Sequence, residues 1–174
     1  NLLGLLEGLL TPRGPVCDVE TCSGRGYNIE SLTVSEVDTA RGLSRITVVT
    51  SGTPMIIQQI KAQLDRLVPV HRVADLTADG PHVERELALI KVANSGEDRI
   101  EALRIADTFR ARVLDSTLES FTFELTGTAG KLDAFIKLMV ALGEVEVSRT
   151  GVVAISRGSD IAMGMQRDAT ADGI

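Results

Sequence analysis

Residues 23–34 read SGRGYNIESLTV, and two folds compete for them. Gly24-Arg25-Gly26 could open a phosphate loop, in which a helix comes directly after the glycines and turns its N-terminus to the phosphate. The element after Gly26 is instead YNIESLTV, an alternating run with β-branched residues. That is strand chemistry. Tyr27, Ile29 and Ser31 fall on one side, and Asn28, Glu30 and Leu32 on the other. No third glycine arrives at the required offset, and no G-K-[ST] occurs anywhere downstream. The stretch therefore reads as a connection running into a strand over 27–37.

Working outward, residues 43–50 (LSRITVVT) form an antiparallel partner across the polar DTARG. Ser51 and Thr53 are N-cap candidates for the helix PMIIQQIKAQLDRLV, with Pro54 at its first position. Ile56, Ile57, Ile60, Leu64 and Leu67 make one apolar stripe at helical spacing, and Pro69 ends the helix. Residues 70–76 read as a strand. Upstream, residues 2–9 supply a first strand with a poor pattern, and residues 15–24 would have to be a helix. The order β-α-β-β-α-β is the ferredoxin-like plan.

After a linker at 77–81 (TADGP), the same rhythm restarts. Residues 82–93 alternate from Val83 through Leu87, Leu89 and Lys91. A helix over 97–110 turns Ile100, Leu103, Ile105 and Phe109 to the core, with Glu97 and Asp98 suiting its dipole. Residues 112–118 and 120–126 pair. Thr128 then caps a helix carrying Leu132, Phe135, Ile136, Met139 and Val140, and Gly143 stops it. Short strands over 144–148 and 151–155 close the second unit. The fold class is α+β, with two small ferredoxin-like units that are marginal alone and gain from oligomerisation.

Composition narrows the function. The 174-residue chain is 44 % hydrophobic, enough for a core, and only 3 % aromatic, too little for base-stacking platforms. A net charge of −6 argues against a nucleic-acid binder. Cys17 and Cys22 stand alone as C-x₄-C, with His71 and His82 far off, so no zinc set is formed. The opening NLLGLLEGLL lacks a basic flank and is too short to span a bilayer, so neither a targeting signal nor a membrane partner is read. A reduced, cytoplasmic protein is expected.

No G-x-S-x-G elbow occurs. Glu84 and Glu86 share a strand face, with Arg85 on the other; as a carboxylate pair they read as a solvated face or an interface salt bridge rather than acid–base chemistry. Arg149–Gly151 and Arg157–Gly158 read as turns, with subunit contacts as a second use. Asn28 beside Ile29 could hold a small polar ligand, or could satisfy a local turn, a common use of Asn. Catalytic residues: none are assigned. A small enzyme working through Cys17 or Cys22 is the competing class, and Cys-to-Ser replacement at both would discriminate it. A third is an amino-acid sensor serving a transcriptional regulator, disfavoured by the charge and by the lack of a helix-turn-helix.

Five stretches in order, RGYNIESLTV (25–34), LSRITVVT (43–50), HVERELALIKV (82–92), TGTAGKLDAFI (126–136) and SRTGVVAISRG (148–158), resemble the bacterial small, regulatory subunit of acetolactate synthase. The resemblance implies an N-terminal ACT domain over 1–77, a C-terminal ferredoxin-like domain over 82–158 that binds and activates the catalytic large subunit, and a flexible tail over 159–174. It implies a homodimer that binds valine or another branched-chain amino acid at its interface and feeds back on valine, leucine and isoleucine synthesis. Thiamine diphosphate, magnesium and FAD would belong to the catalytic subunit, with no cofactor in this chain. The effector-binding positions carried over are Gly14, Asn28 and Ile29. Residues 4–22 (GLLEGLLTPRGPVCDVETC) depart from the family pattern: the loop Asn is missing, and Gly14 before Pro15 is the sole counterpart of the loop glycine. A locally altered reading frame is one account, which resequencing would test. The resulting alternative is a sensor that has lost its effector but still activates the catalytic subunit.

Overall fold

A computed structural model describes residues 2–10, 28–66 and 70–159. Gly14, Cys17, Cys22, the helix expected over 15–24, Leu67 and the expected tail lie outside these residues. The chain divides into two compact units, Glu84–Val153 and the residues to either side of it.

The N-terminal unit is built from β1 (Leu2–Leu10), β2 (Asn28–Asp38), β3 (Leu43–Gly52), α1 (Pro54–Leu64) and β4 (Val70–Asp75). Its antiparallel sheet has the order β2-β3-β1-β4. β1 is central, and consecutive Leu5 and Leu6 are both buried. A strand covered on both faces loses its alternation, which explains its poor pattern in sequence. α1 begins where expected: the Thr53 hydroxyl accepts from the Ile56 N–H, with Pro54 in the first turn. Ile57 and Ile60 pack on Leu6, Ile46 and Val48, flanked by Ile29, Leu32, Ile56 and Leu64. The expected linker begins instead as one helical turn, α2 (Leu76–Asp79). The Asp75 carboxylate caps it, accepting from the Thr77 and Ala78 N–H groups at 3.1 and 3.2 Å.

The C-terminal unit runs β5 (His82–Ala93), α3 (Glu97–Phe109), β6 (Arg112–Ser116), β7 (Ser120–Gly127), α4 (Ala129–Val140) and β8 (Glu144–Arg149), and then β9 (Val153–Ser156). Its sheet order is β6-β7-β5-β8, with β9 also paired to β5. Both units thus repeat one strand order, the ferredoxin-like order expected. All four phenylalanines of the chain serve this unit: Phe121, Phe123 and Phe135 are buried, and Phe109 packs against them. Phe123 and Phe109 each meet Phe135 edge-on, at 5.9 and 5.4 Å between centroids.

Three details of this unit differ from expectation. α3 buries Ala102 and Ala106, with Ile105 and Phe109 alongside, while Ile100 and Leu103 are 71 % and 41 % exposed. The aromatic layer takes up the space beneath the helix, so alanines make the close contact. On β5 the core phase is Ala88, Ile90 and Val92; Leu89 lies on the other face, partly exposed, and Val140 of α4 is exposed as well. Gly143 does not act through helix-stop geometry, because α4 has ended at Val140 and Ala141 caps it. A Cβ at Gly143 would sit 2.0 Å from the Ala93 carbonyl oxygen. Glycine is needed there so that two backbones can touch.

Candidate effector site

Asn28 opens β2, an edge strand of the N-terminal sheet, and pairs with Ser51 of β3; Ile29 pairs with Thr50. The Asn28 amide donates from Nδ2 to Ser51 Oγ at 2.8 Å. The Asn28 carbonyl accepts from Thr50 Oγ1 at 2.8 Å, and Thr50 is fully buried. Backbone and side chain of Asn28 are therefore both fixed by β3, while the residue stays exposed. Among the described residues no donor is assigned to its Oδ1. Ser51, read as a helix-cap candidate, instead serves Asn28.

Ile29 turns toward the core and packs against the α1 cluster. The register then slips: Ile29 faces Thr50, but Ser31 faces Val49 and Leu32 faces Val48. A bulge at Glu30 inserts one unpaired residue and resets the alternation. Ile29 and Leu32 consequently share the core side, where simple alternation puts them on opposite sides. The bulge leaves the backbone next to Ile29 at an irregular, solvent-facing edge. Such a place suits hydrogen bonds to a small zwitterion.

The third expected position, Gly14, lies outside the described residues. Its reach is limited by the chain. Leu10 pairs with Ser44, at the opposite end of β3 from Ser51, the partner of Asn28. Seven residues of β3 separate those levels, about 23 Å at strand rise. Four residues beyond Leu10 reach at most about 14 Å. Within one chain, Asn28 and the segment after β1 start from opposite ends of the sheet.

The C-terminal unit contains a second polar constellation, within one chain where the sequence suggested a solvated face or an interface salt bridge at Glu84 and Glu86. Arg149 donates through Nε and Nη2 to both oxygens of Glu86, at 2.9 and 2.6 Å, and through Nη1 to Asp133 Oδ1 at 2.6 Å. The Glu86 hydrogen bonds hold the guanidinium pKa well above its usual value against partial burial, with Asp133 adding to them. Glu84 takes no part in the fork. The partners lie 63 and 16 residues apart, and nothing in local spacing could have matched them. Among the described residues no group of three or more His, Cys, Asp or Glu could hold a metal ion, and no helix is long and apolar enough to cross a membrane.

Known proteins share both sequence and architecture with this chain. A family model described as "Small subunit of acetolactate synthase" matches residues 85–158. The chain is 47 % identical over 140 residues to the acetolactate synthase isozyme 3 small subunit of Escherichia coli, covering 80 % of this chain and 85 % of that one. It is 46 % identical over 140 residues to the acetolactate synthase small subunit of Aquifex aeolicus, covering 80 % and 72 %. The crystal structure of the acetolactate synthase small subunit from Thermotoga maritima superimposes with a TM-score of 0.77 at 35 % identity, covering 92 % of this chain and all of that one.

Proposed function

The chain belongs to the acetolactate synthase small-subunit family, and from that premise we propose that it is the regulatory subunit of such an enzyme in branched-chain amino acid synthesis. The observation that carries this reading is identity of 47 % across most of both chains, joined to the doubled strand order. In this reading the chain performs no chemistry itself. It docks on a catalytic large subunit in the cytoplasm, raises its activity, and lowers it again when valine binds. Thiamine diphosphate, magnesium and FAD reside on that partner.

The division of labour matches the two units. Residues 1–77 form the ACT domain that senses the amino acid, residues 82–158 dock on and activate the catalytic subunit, and 159–174 is a tail. Asn28 offers its amide to one polar end of valine, and the backbone at Ile29 offers further hydrogen bonds. Gly14 supplies the other wall. The distance between the Asn28 end of the sheet and the end where β1 stops supports a site shared by two copies, one giving Asn28 and the other Gly14. A homodimer joins these ends without asking residues 11–14 to run back along the sheet.

The unusual text of residues 4–22, without the loop Asn, favours a second reading, in which activation persists and valine no longer binds. One assay separates them: acetolactate formation by the matching large subunit, with and without this chain, at zero and saturating valine. Stimulation reversed by valine supports the full reading. Stimulation that valine leaves untouched, with no heat on calorimetric titration, supports the second. No stimulation by a folded chain refutes both.

A further inference from the structure

The chain enters the C-terminal unit at Glu84 in β5 and leaves it at Val153 in β9. Glu86 stands just inside the entrance and Arg149 just before the exit. The two-pronged contact between them joins the entering strand β5 to the end of β8, and the third nitrogen of the same guanidinium holds Asp133 near the start of α4. The neighbouring residues repeat the connection. The Thr150 N–H donates to the Leu87 carbonyl at 3.0 Å, and the Leu87 N–H donates to Thr150 Oγ1 at 3.2 Å.

The Glu86 side chain is 5 % exposed, whereas that of Asp133 is 63 % exposed. Holding a buried carboxylate against a partly buried guanidinium is a poor way to stabilise a fold, since desolvation offsets much of the attraction. What the pair supplies is direction. A planar fork on a carboxylate accepts one geometry, so it fixes one register between the strands, and a one-residue slip would turn every side chain to the wrong face. The β5–β8 ladder ends at Arg149, and the chain breaks over Thr150–Val152, with Gly151 at φ 83°, before β9 resumes. The fork ties β5, the end of β8 and the first turns of α4 at a single guanidinium, next to both chain connections.

We propose that the Glu86–Arg149–Asp133 fork is the relay through which the effector-sensing part of the chain governs the activating unit. The proposal rests on the regulatory-subunit reading and adds to it the residues that carry the signal. They are positioning residues, touching neither effector nor substrate.

The test uses the assembled complex of large subunit and full-length chain, with valine as the probe. Arg149→Met alone would strand a buried carboxylate, so the principal variant is Glu86→Leu with Arg149→Met, which removes both charges. Asp133→Asn, at the exposed end, serves as a mild companion. The double variant is expected to stimulate the large subunit to within about twofold of the parent and to bind valine as the parent does. Its inhibition by valine should weaken by about tenfold, the size of an ordinary coupling between sites. Asp133→Asn should shift inhibition in the same direction by less. Unchanged inhibition in a double variant that still stimulates would overturn the relay. So would parallel loss of stimulation and inhibition in variants that melt like the parent, because the fork would then belong to docking. A parent chain that stimulates without responding to valine has no signal to relay and also overturns it. A folded parent that fails to stimulate sinks the functional reading instead.

Discussion

Asn28→Ala offers the sharpest test of the effector site, because its effect on stability and its effect on binding separate. Asn28 is exposed, and the side-chain bond lost is the one from Nδ2 to Ser51 Oγ at 2.8 Å. Surface changes of this kind cost within about 0.5 kcal/mol, so the melting temperature should move by no more than about 2 °C at this chain length. Binding should respond far more. Valine is a zwitterion, and a hydrogen bond from the amide to a charged group is worth about 1.5–3 kcal/mol. At 1.4 kcal/mol per decade this weakens the dissociation constant by about 10- to 100-fold. Calorimetric titration reads the affinity, and the valine concentration giving half-inhibition of acetolactate formation should rise in step.

Thr50→Val sharpens the comparison. Thr50 is fully buried, and its hydroxyl donates to the Asn28 carbonyl. The near-isosteric valine removes that donor and should cost about 1–2 kcal/mol of stability, with a smaller loss of affinity, because the pairing of Ile29 with Thr50 is left in place. The expected pattern is therefore crossed: Asn28→Ala harms binding more than folding, and Thr50→Val the reverse. Parent-like valine affinity in Asn28→Ala would refute the assignment. A large drop in its melting temperature would refute the claim that Asn28 is free to serve a ligand.

Gly143→Ala should cost about 3 kcal/mol or more, because its Cβ would lie 2.0 Å from the Ala93 oxygen and only backbone can yield; thermal denaturation would show this, and parent-like melting would refute the close approach. Thr53→Ala should cost about 1 kcal/mol as a lost helix cap. Thr128→Ala should cost measurably less, since its hydroxyl makes no cap bond; equal shifts in the denaturant midpoint would contradict the two cap geometries. Calorimetric stoichiometry should not exceed one valine per chain, and a second site of similar affinity would count against confining the effector to the N-terminal unit.

The repeated strand order is legible because turns, caps and apolar stripes announce themselves locally. Pro54 after Thr53, the stripe through Ile57 and Ile60, and the polar break before Leu43 each specify an element without tertiary help. Faces are harder to read. Residues 87–93 of β5 (LALIKVA) are apolar on both sides, so bulk favours Leu87 and Leu89 although the core takes Ala88, Ile90 and Val92. Lys91, on the same side as Leu89, is the local sign that this side faces solvent. On α3 the misleading residues are again the large ones: Ile100 and Leu103 look like core, but closeness to the aromatic layer selects Ala102 and Ala106. The bulge at Glu30 leaves no mark in the sequence at all, since any residue can be the one left unpaired.

The two units also show why a shared topology does not imply a shared ligand. β2 and β6 hold the same place in their sheets, each at the edge beside the next strand of the chain. At the start of β2, Asn28 faces Ser51, a small polar pair with an exposed amide. At the start of β6, Arg112 faces Glu124, and their side chains approach to 3.5 Å. A charged pair that satisfies itself offers a neutral zwitterion little, whereas an amide held by a serine, on a backbone whose carbonyl is held by a buried threonine, is already oriented for one. The neighbouring strands deepen the contrast: Ser51 and Thr50 of β3 hold Asn28, while Phe121 and Phe123 of β7 go to the core. One fold is thus used twice with its polar chemistry placed differently. The first copy sets it on an edge that can receive a small molecule. The second turns it inward, to the Glu86–Arg149–Asp133 fork, which ties the points where the chain enters and leaves. That placement fits a unit that receives a signal through its connections, as the proposed relay requires.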